Sequence, residues 1–598
     1  MKRYLDWLDQ RTGVRKLTHE ALFENIPGGS RWRYVWGSTL TFTFVVQIIT
    51  GIALWMAYSP SSQTAWESVY YTQNEMFGGW FLRGLHHYTA QAMNILLVLH
   101  LMQVLIDGAY KAPREVNFWF GLVLLQLVLA LSLTGYLLPW DQKGFWATKV
   151  ATNIVAITPM VGPALQKLII GGTDYGHHTL TRFFALHAGV LPGAIVALII
   201  GHIYLFRRHG ITAKQPLRRP DAAFWPDQVL KDVVACLAVL AAVLLLIVGS
   251  HGADLGAPAD PSDNFSAARP EWYFLFLYQF LKYFPGGTEV WGAIIIPGLV
   301  MLVLFLMPFI GRWKLGHRFN LGLVWCLIAG AGLLTYLAMA EDRHNETYQT
   351  ASKAAEWEAE RVRVLAKSPT GIPSSGAVTL LRNDPLTQGP KLFAQKCASC
   401  HRYDGHDGTG KSLKDPQSAS DLKGFASREW LAGLLDPDKI SATNYFGGTK
   451  HRDGKMSKFV KKDVANYTPE QKEKLRKAIA AISAEAQLKS QLAADQRDTA
   501  IIEEGRTLIE NEMKCKDCHQ FRKKDEDATA PNLTGYGSRE WLVGFINNPA
   551  HPDSYGDRND RMPAFGTDHI LTEQQVGLLA DWLRGTWYEP SASTAAAR

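Results

Sequence analysis

The stretch WFLRGLHHYTAQAMNILLVLHLMQVLI (Trp80–Ile106) decides how the rest of the chain is read. It exceeds the roughly 20 apolar residues that cross a bilayer as a helix. It also carries His86 and His100, and a polar imidazole in hydrocarbon is costly unless something engages it. The two histidines are 14 positions apart; at about 1.5 Å and 100° per residue they return to one helix face, about 21 Å apart along the axis. A second run, Phe183–Phe206, carries His187 and His202, 15 positions apart. Both runs cross in the same direction, so His86 faces His187 at one depth and His100 faces His202 at the other. A lone histidine in a span is more readily explained by a hydrogen bond to a neighbouring helix. Four at matched depths predict two bis-imidazole haem sites stacked across the membrane.

The same spacing recurs in glycine. Gly37 and Gly51 lie in the first apolar run and Gly121 and Gly135 in the third, 14 apart in each case. A backbone without Cβ lets a flat macrocycle come close, so these four are candidate clearances for haem, against the plainer alternative of close helix packing. Arg83 and Arg114, at the two membrane edges, are candidates to pair with haem propionates, or to anchor lipid head groups.

Seven apolar runs are long enough to span: Trp36–Tyr58, Trp80–Ile106, Asn117–Leu138, Phe183–Phe206, Val229–Ser250, Val290–Phe309 and Asn320–Ala340. The mean hydropathy of the 598-residue chain, −0.06, hides them because a hydrophilic half follows. Up to residue 340 there are 25 Lys/Arg and 18 Asp/Glu, whereas the rest has 37 of each, so the net charge of +7 belongs wholly to the first part. Of those 25 cations, 18 fall in Met1–Arg33, Asp107–Val116, Arg207–Asp232 and Gly311–Arg318, all on one side. The positive-inside rule makes that side cytoplasmic. The N-terminus is then cytoplasmic, and an odd number of spans carries everything after Ala340 to the opposite face. The first 33 residues show no cleavable apolar core, so no removable signal peptide is expected. Loop-localised charge excludes a nucleic-acid binder, and the split composition excludes a single soluble globule.

In the hydrophilic half, Cys397-Ala-Ser-Cys400-His401 and Cys515-Lys-Asp-Cys518-His519 repeat the c-type haem attachment pattern, two thioether-forming thiols and an iron-binding histidine. Zinc sites and thiol redox pairs do not need a histidine directly after each cysteine pair. Beyond residue 340 the methionines are Met456, Met513 and Met562. Met513 is too close to Cys515 to cross the haem, so Met456 and Met562 are the expected distal ligands, with His451, His551 and His569 as alternatives. Ser427-Arg-Glu-Trp-Leu431 recurs as Ser538-Arg-Glu-Trp-Leu542, which marks an internal repeat. Each repeat has a helix leading into its cysteines and a closing helix, Thr468–Ala484 or Thr572–Thr586. Glu341–Pro385 reads as a charged, Pro/Gly-containing tether with one surface helix near Ala351–Lys367, and the Ser591–Arg598 tail as mobile. Cys236 and Cys326 lie inside spans and read as buried apolar thiols.

Arg83 to His100, Lys111-Ala-Pro-Arg-Glu115, Gly135-Tyr-Leu-Leu-Pro-Trp-Asp-Gln142 and Arg207-Arg-His-Gly-Ile211 resemble the cytochrome b of Rieske/cytochrome b complexes. The 15-residue spacing and the seven spans are similar to the bf-type branch, and Val229–Ala340 resembles its three-helix subunit IV. The resemblance implies that Pro270-Glu271-Trp272-Tyr273 lines the quinol-oxidising site, with Glu271 taking a quinol proton and Tyr136 and Trp140–Pro159 forming the facing wall. It also places a quinone-reducing site near the inner haem, where Arg207 and Arg208 are candidates. Members of that branch tether an extra haem through a cysteine where this chain has Val35, so a covalently held extra haem is not expected.

The expected fold is all-α: a seven-span bundle (1–215 four-helix haem-binding domain, 216–341 three-helix domain), a linker (342–383), and cytochrome c-type domains over 384–487 and 498–590. The expected function is a quinol:cytochrome c oxidoreductase subunit of the bacterial cytoplasmic membrane, with its c domains periplasmic. It would hold two non-covalent b haems and two covalent c haems, pass quinol electrons through them and couple this to proton translocation. Expected partners are a separate Rieske iron–sulfur protein, the quinone pool, a soluble cytochrome c or other periplasmic acceptor, and a second copy of the chain. The competing reading is a non-bifurcating electron conduit that anchors a periplasmic dehydrogenase.

Overall fold

The computed structural model describes residues 2–212, 220–525 and 527–590 and divides into two units, Met1–Arg363 with Ile372–Val378 and Val364–Gly371 with Thr379–Arg598. The Ser591–Arg598 tail and part of the Arg207–Asp232 loop lie outside the described residues. Among the described residues the fold is helical apart from one short antiparallel pairing of Asn25–Ile26 with Ala222–Ala223 and isolated bridges.

Among its described residues the first unit contains seven helices long and apolar enough to cross a membrane: Trp32–Trp55, Gly79–Ile106, Glu115–Leu137, His177–His209, Phe224–Ser250, Trp291–Ile310 and Gly316–His344. The protein is therefore a multi-pass membrane protein. The first span packs on the second and the third on the fourth, while the fifth lies against the first two. Phe44, Met93, Val128 and Ile195, one from each of the first four spans, form a single buried apolar cluster. Each stands midway between the two histidines or two glycines of its helix, so this layer separates the two histidine levels. The fourth span carries one residue more between its histidines than the second. A single π-helical turn at Leu186–Val190, which contains His187, absorbs it; such a turn widens the helix by one residue without breaking it.

The region 342–383 differs from the expected tether. The seventh span ends at His344 and a 21-residue helix, Glu346–Ala366, begins after Asn345. Ala359 and Val362 are buried, and the Arg363 guanidinium donates to the Leu255 carbonyl at 3.2 Å. Residues up to Arg363 therefore belong to the membrane unit. A high charge density concealed a narrow apolar stripe.

In the second unit, Asp384 caps the helix Pro385–Lys396, and Thr468 with Gln471 and Thr572 with Gln575 form capping boxes at Pro469–Glu485 and Glu573–Leu583. The sequence reading has 384–487 and 498–590 each closing on itself. Instead the helices pair across the repeats: Pro385–Lys396 packs on Glu573–Leu583, and Pro469–Glu485 packs on Thr499–Asn511. The second pair is local in sequence, joined only through the short helix Leu492–Arg497, so closing it costs little chain entropy. Once those two helices hold each other, the first and last helices of the unit are left as partners.

Candidate haem pockets and quinol site

In the membrane unit the His86 and His187 ring centroids are 6.3 Å apart and those of His100 and His202 are 6.4 Å apart. A metal binds an imidazole nitrogen at about 2.0–2.1 Å, so two trans imidazoles on one iron put their ring centroids about 6 Å apart. The spacing fits haem iron at both levels. The four glycines stand beside these same rings. A Cβ added at Gly51 would lie 3.3 Å from His86 Cε1, and at Gly135 only 2.5 Å from His187 Cε1; Cβ atoms at Gly37 and Gly121 would lie 3.5 Å from His100 and His202 Cε1. The first span thus offers its gaps to the second, and the third to the fourth.

Two threonines complete the His86/His187 level. Thr50 Oγ1 is 2.9 Å from His86 Nδ1 and donates to Val46 O; Thr134 Oγ1 is 3.2 Å from His187 Nδ1 and donates to Ala130 O. A hydroxyl that gives its proton to the helix carbonyl can accept from a ring protonated on Nδ1, the tautomer that leaves Nε2 available for iron. His202 Nδ1 uses the Asn117 carbonyl at 3.1 Å instead. The sequence reading missed the threonines, although Thr50-Gly51 and Thr134-Gly135 repeat the same dipeptide. Replacing Thr134 by Val should weaken haem retention at that level about 10–100-fold, measured as haem content through a detergent titration, while the His100/His202 level is unaffected.

Arg83 and Arg114 are engaged with protein carbonyls. Arg83 donates to Ala253 O and Asp254 O at 2.6 Å and to Gln73 Oε1 at 3.0 Å, and Arg114 to His209 O at 2.7 Å. Arg83 therefore pins the loop after the fifth span, and Arg114 closes the last turn of the fourth; only their remaining donors are available to propionates. Arg207 forms an ion pair with Glu24 at 3.6 Å. Val35 is buried and borders a cavity with Trp32, Arg33 and Trp36.

The loop that Arg83 pins leads to Pro270-Glu271-Trp272-Tyr273. Asp141 fixes it to the end of the third span: its carboxylate accepts from Gly144 N at 2.8 Å and Gly256 N at 3.0 Å, while Gln142 N donates to Ala257 O. Glu271 precedes the turn Trp272–Phe274 and lies beside Tyr136 and Tyr273. Tyr273 reaches Ser132 of the third span, and Trp272 Nε1 donates to Gln91 at 3.3 Å. Burial raises the Glu271 carboxyl above the ordinary carboxylate range, Asp141 and Asp254 push the same way, and Lys143 opposes them. The chain thus brings an apolar aromatic wall, two phenols and a base of raised proton affinity to one place.

In the second unit His401 Nδ1 lies 2.7 Å from Ser420 O and His519 Nδ1 2.7 Å from Pro531 O, which directs each Nε2 away from the carbonyl and toward a metal. Burial lowers the proton affinity of both rings and keeps them neutral. Cys397 lies in an apolar cluster with Phe393, Phe565 and Met562, and Cys515 in one with Ile509, Val460 and Met456.

Both units of the chain are similar to known proteins. Residues 25–210 match the family model "Cytochrome b/b6/petB", 258–356 "Cytochrome b(C-terminal)/b6/petD", and 386–477 and 502–587 "Cytochrome c". Cytochrome b of Rhodobacter capsulatus is 34% identical over 308 residues, 49% of this chain and 70% of that protein. The menaquinol:cytochrome c reductase cytochrome b subunit of Geobacillus thermodenitrificans is 38% identical over 220 residues, 36% of this chain and 98% of that protein. Cytochrome b6 of Synechococcus sp. (strain JA-3-3Ab) is 37% identical over 212 residues, 36% of this chain and 99% of that one.

Proposed function

Because the chain belongs to the cytochrome b/b6 family and carries cytochrome c domains behind its membrane part, we propose that it is the catalytic subunit of a quinol:cytochrome c oxidoreductase with its own electron outlet. The reading rests above all on one observation, the two levels of paired imidazoles at 6.3 and 6.4 Å, each backed by glycine. His86 with His187 and His100 with His202 hold two b haems; Cys397, Cys400 and His401, and Cys515, Cys518 and His519, hold two c haems. Bound haem supplies one-electron carriage at each position.

The chain's own residues handle the quinol. Pro270, Trp272, Tyr136 and Tyr273 wall the ring, and Glu271 accepts one of the two protons that oxidation releases. Four cysteines are committed to haem c, and Cys236 and Cys326 lie on separate spans, so the Rieske iron–sulfur partner is a separate chain. The cation-rich loops face the cytoplasm of a bacterium and the cytochrome c unit faces the periplasm, where a soluble carrier or oxidase accepts electrons. The site then releases its protons on the cytochrome c side, coupling electron flow to proton translocation, and the complex is a homodimer.

Haem stoichiometry tests the assignment. Acid-acetone extraction should remove two haems per chain and leave two covalently bound; a third covalent haem would contradict the absence of a tether at Val35. A Rieske signal in the electron spin resonance spectrum of the purified complex is expected, and its absence would favour the simple conduit.

A further inference from the structure

The two repeats of the cytochrome c unit are related by regular offsets. Trp430 Nε1 donates to Asp421 O, and Trp541 Nε1, 111 positions later, donates to Asn532 O. Ala426 and Gly537 are equivalent in the same sense; both have positive φ, +63° and +75°, and a Cβ on Gly537 would stand 2.3 Å from that of Ala426. The chain segments of the two repeats therefore touch at this equivalent pair, and beside it Phe425 packs on Tyr536 and Trp541. Before this point each repeat contributes its lead helix and its cysteine motif. After it, each contributes its closing helix and its methionine loop, and these go to the other lobe.

The lead and closing helices follow that exchange, while the loops ahead of the methionines also bond their own repeat, Asp421 N donating to Asn444 O and Asn532 N to Asp553 O. In one lobe, Trp582 of the last helix stacks on Tyr403 at 4.4 Å and packs on Phe393, and Gln574 bonds Asn383. Met562 lies in that cluster with Cys397. In the other lobe, Lys514 pairs with Asp463 at 2.9 Å, and Lys477 pairs with Glu504. Met456, one helix turn upstream of Val460, lies in that cluster with Cys515. A distal ligand has to reach the haem that its own lobe encloses.

We propose that axial ligation is crossed: Met562 ligates the haem of Cys397–His401, and Met456 ligates the haem of Cys515–His519. Each iron is held by one histidine and one methionine from different repeats, so neither repeat can form a complete haem site alone, and the two haems are built as one cooperative unit. The proposal rests on the reading of both Cys-x-x-Cys-His segments as attachment sites. Covalent haem content tests that reading separately, since a wild-type complex without two covalent haems would fail it before ligation is considered.

The deciding experiment removes one haem by Cys515→Ala with Cys518→Ala in the full chain and follows the methionine-to-ferric-iron charge-transfer band and the reduction potential of the remaining haem. In that background Met562→Ala should abolish the band and lower the potential, whereas Met456→Ala should leave both unchanged. The opposite pattern, or a band insensitive to Met562→Ala, overturns the proposal. If the single-haem chain does not mature, or both substitutions abolish the band, the wild-type complex decides by carbodiimide cross-linking and mass spectrometry. A zero-length Asp463–Lys514 link places the Met456 helix on the Cys515 motif as crossed ligation requires, and its absence overturns the proposal.

Discussion

Gly135→Ala is expected to remove the b haem of the His86/His187 level. The added Cβ would stand 2.5 Å from His187 Cε1, 3.1 Å from Nδ1 and 3.2 Å from Nε2, so the Nδ1–Cε1–Nε2 edge of the ring lies against it. The ring cannot swing aside cheaply, because Thr134 holds its Nδ1 and the π-turn at Leu186–Val190 fixes its backbone. Overpacking of this kind costs about 1–3 kcal/mol before the lost metal bond is counted. Extractable haem should fall from two per chain to one, and quinol oxidation by about 100-fold or more, at least the cost of losing a group that orients a metal ligand. The same substitution at Gly37 or Gly121, where the Cβ would meet histidine at an ordinary 3.5 Å, should retain both haems, with Gly51 at 3.3 Å intermediate. Two haems with unaltered spectra in Gly135→Ala would remove the clearance role from that residue.

This gradation was not visible in the sequence, although the residues that produce it were. A period-14 spacing in histidine and glycine can be counted along a string, and the seven runs of apolar residues are long enough to be found by hydropathy alone; both depend on near neighbours on one helix. What could not be counted is how two helices meet. The π-turn at His187 adds a residue without any local signature, and the carbonyl partners of Arg83 come from a loop 170 positions away. The helix expected near Ala351–Lys367 is present as Glu346–Ala366, but its packing escaped because its charge resembles a linker's, and its buried stripe shows only against a partner surface. The crossing of the two cytochrome c repeats is the extreme case. Each repeat reads as self-sufficient, since the same helices and ligands are present in both arrangements, and only tertiary packing chooses the partner.

Glu271→Gln is expected to lower the quinol oxidation rate by about 10²–10⁴-fold, the usual worth of a positioned general base. The amide is nearly the same size and keeps the turn at Trp272–Phe274, so haem content and spectra should stay at wild-type values. That combination separates loss of proton transfer from loss of structure. The pH profile carries the sign. Glu271 must be ionised to accept a proton, so the rate falls as pH drops through its carboxyl pKa. Burial, reinforced by Asp141 and Asp254, raises that pKa. The acid limb should therefore lie above the value of about 4.3 for a free glutamate, and in the Gln variant this limb should vanish, leaving a low rate independent of pH over the same range. Lys143 is the group that opposes the shift; Lys143→Met should move the acid limb further up without abolishing turnover. A wild-type rate and unchanged inhibitor sensitivity in Glu271→Gln would take the proton-accepting role away from this carboxylate. The phenols of Tyr136 and Tyr273 beside it cannot serve as neutral-pH bases while protonated.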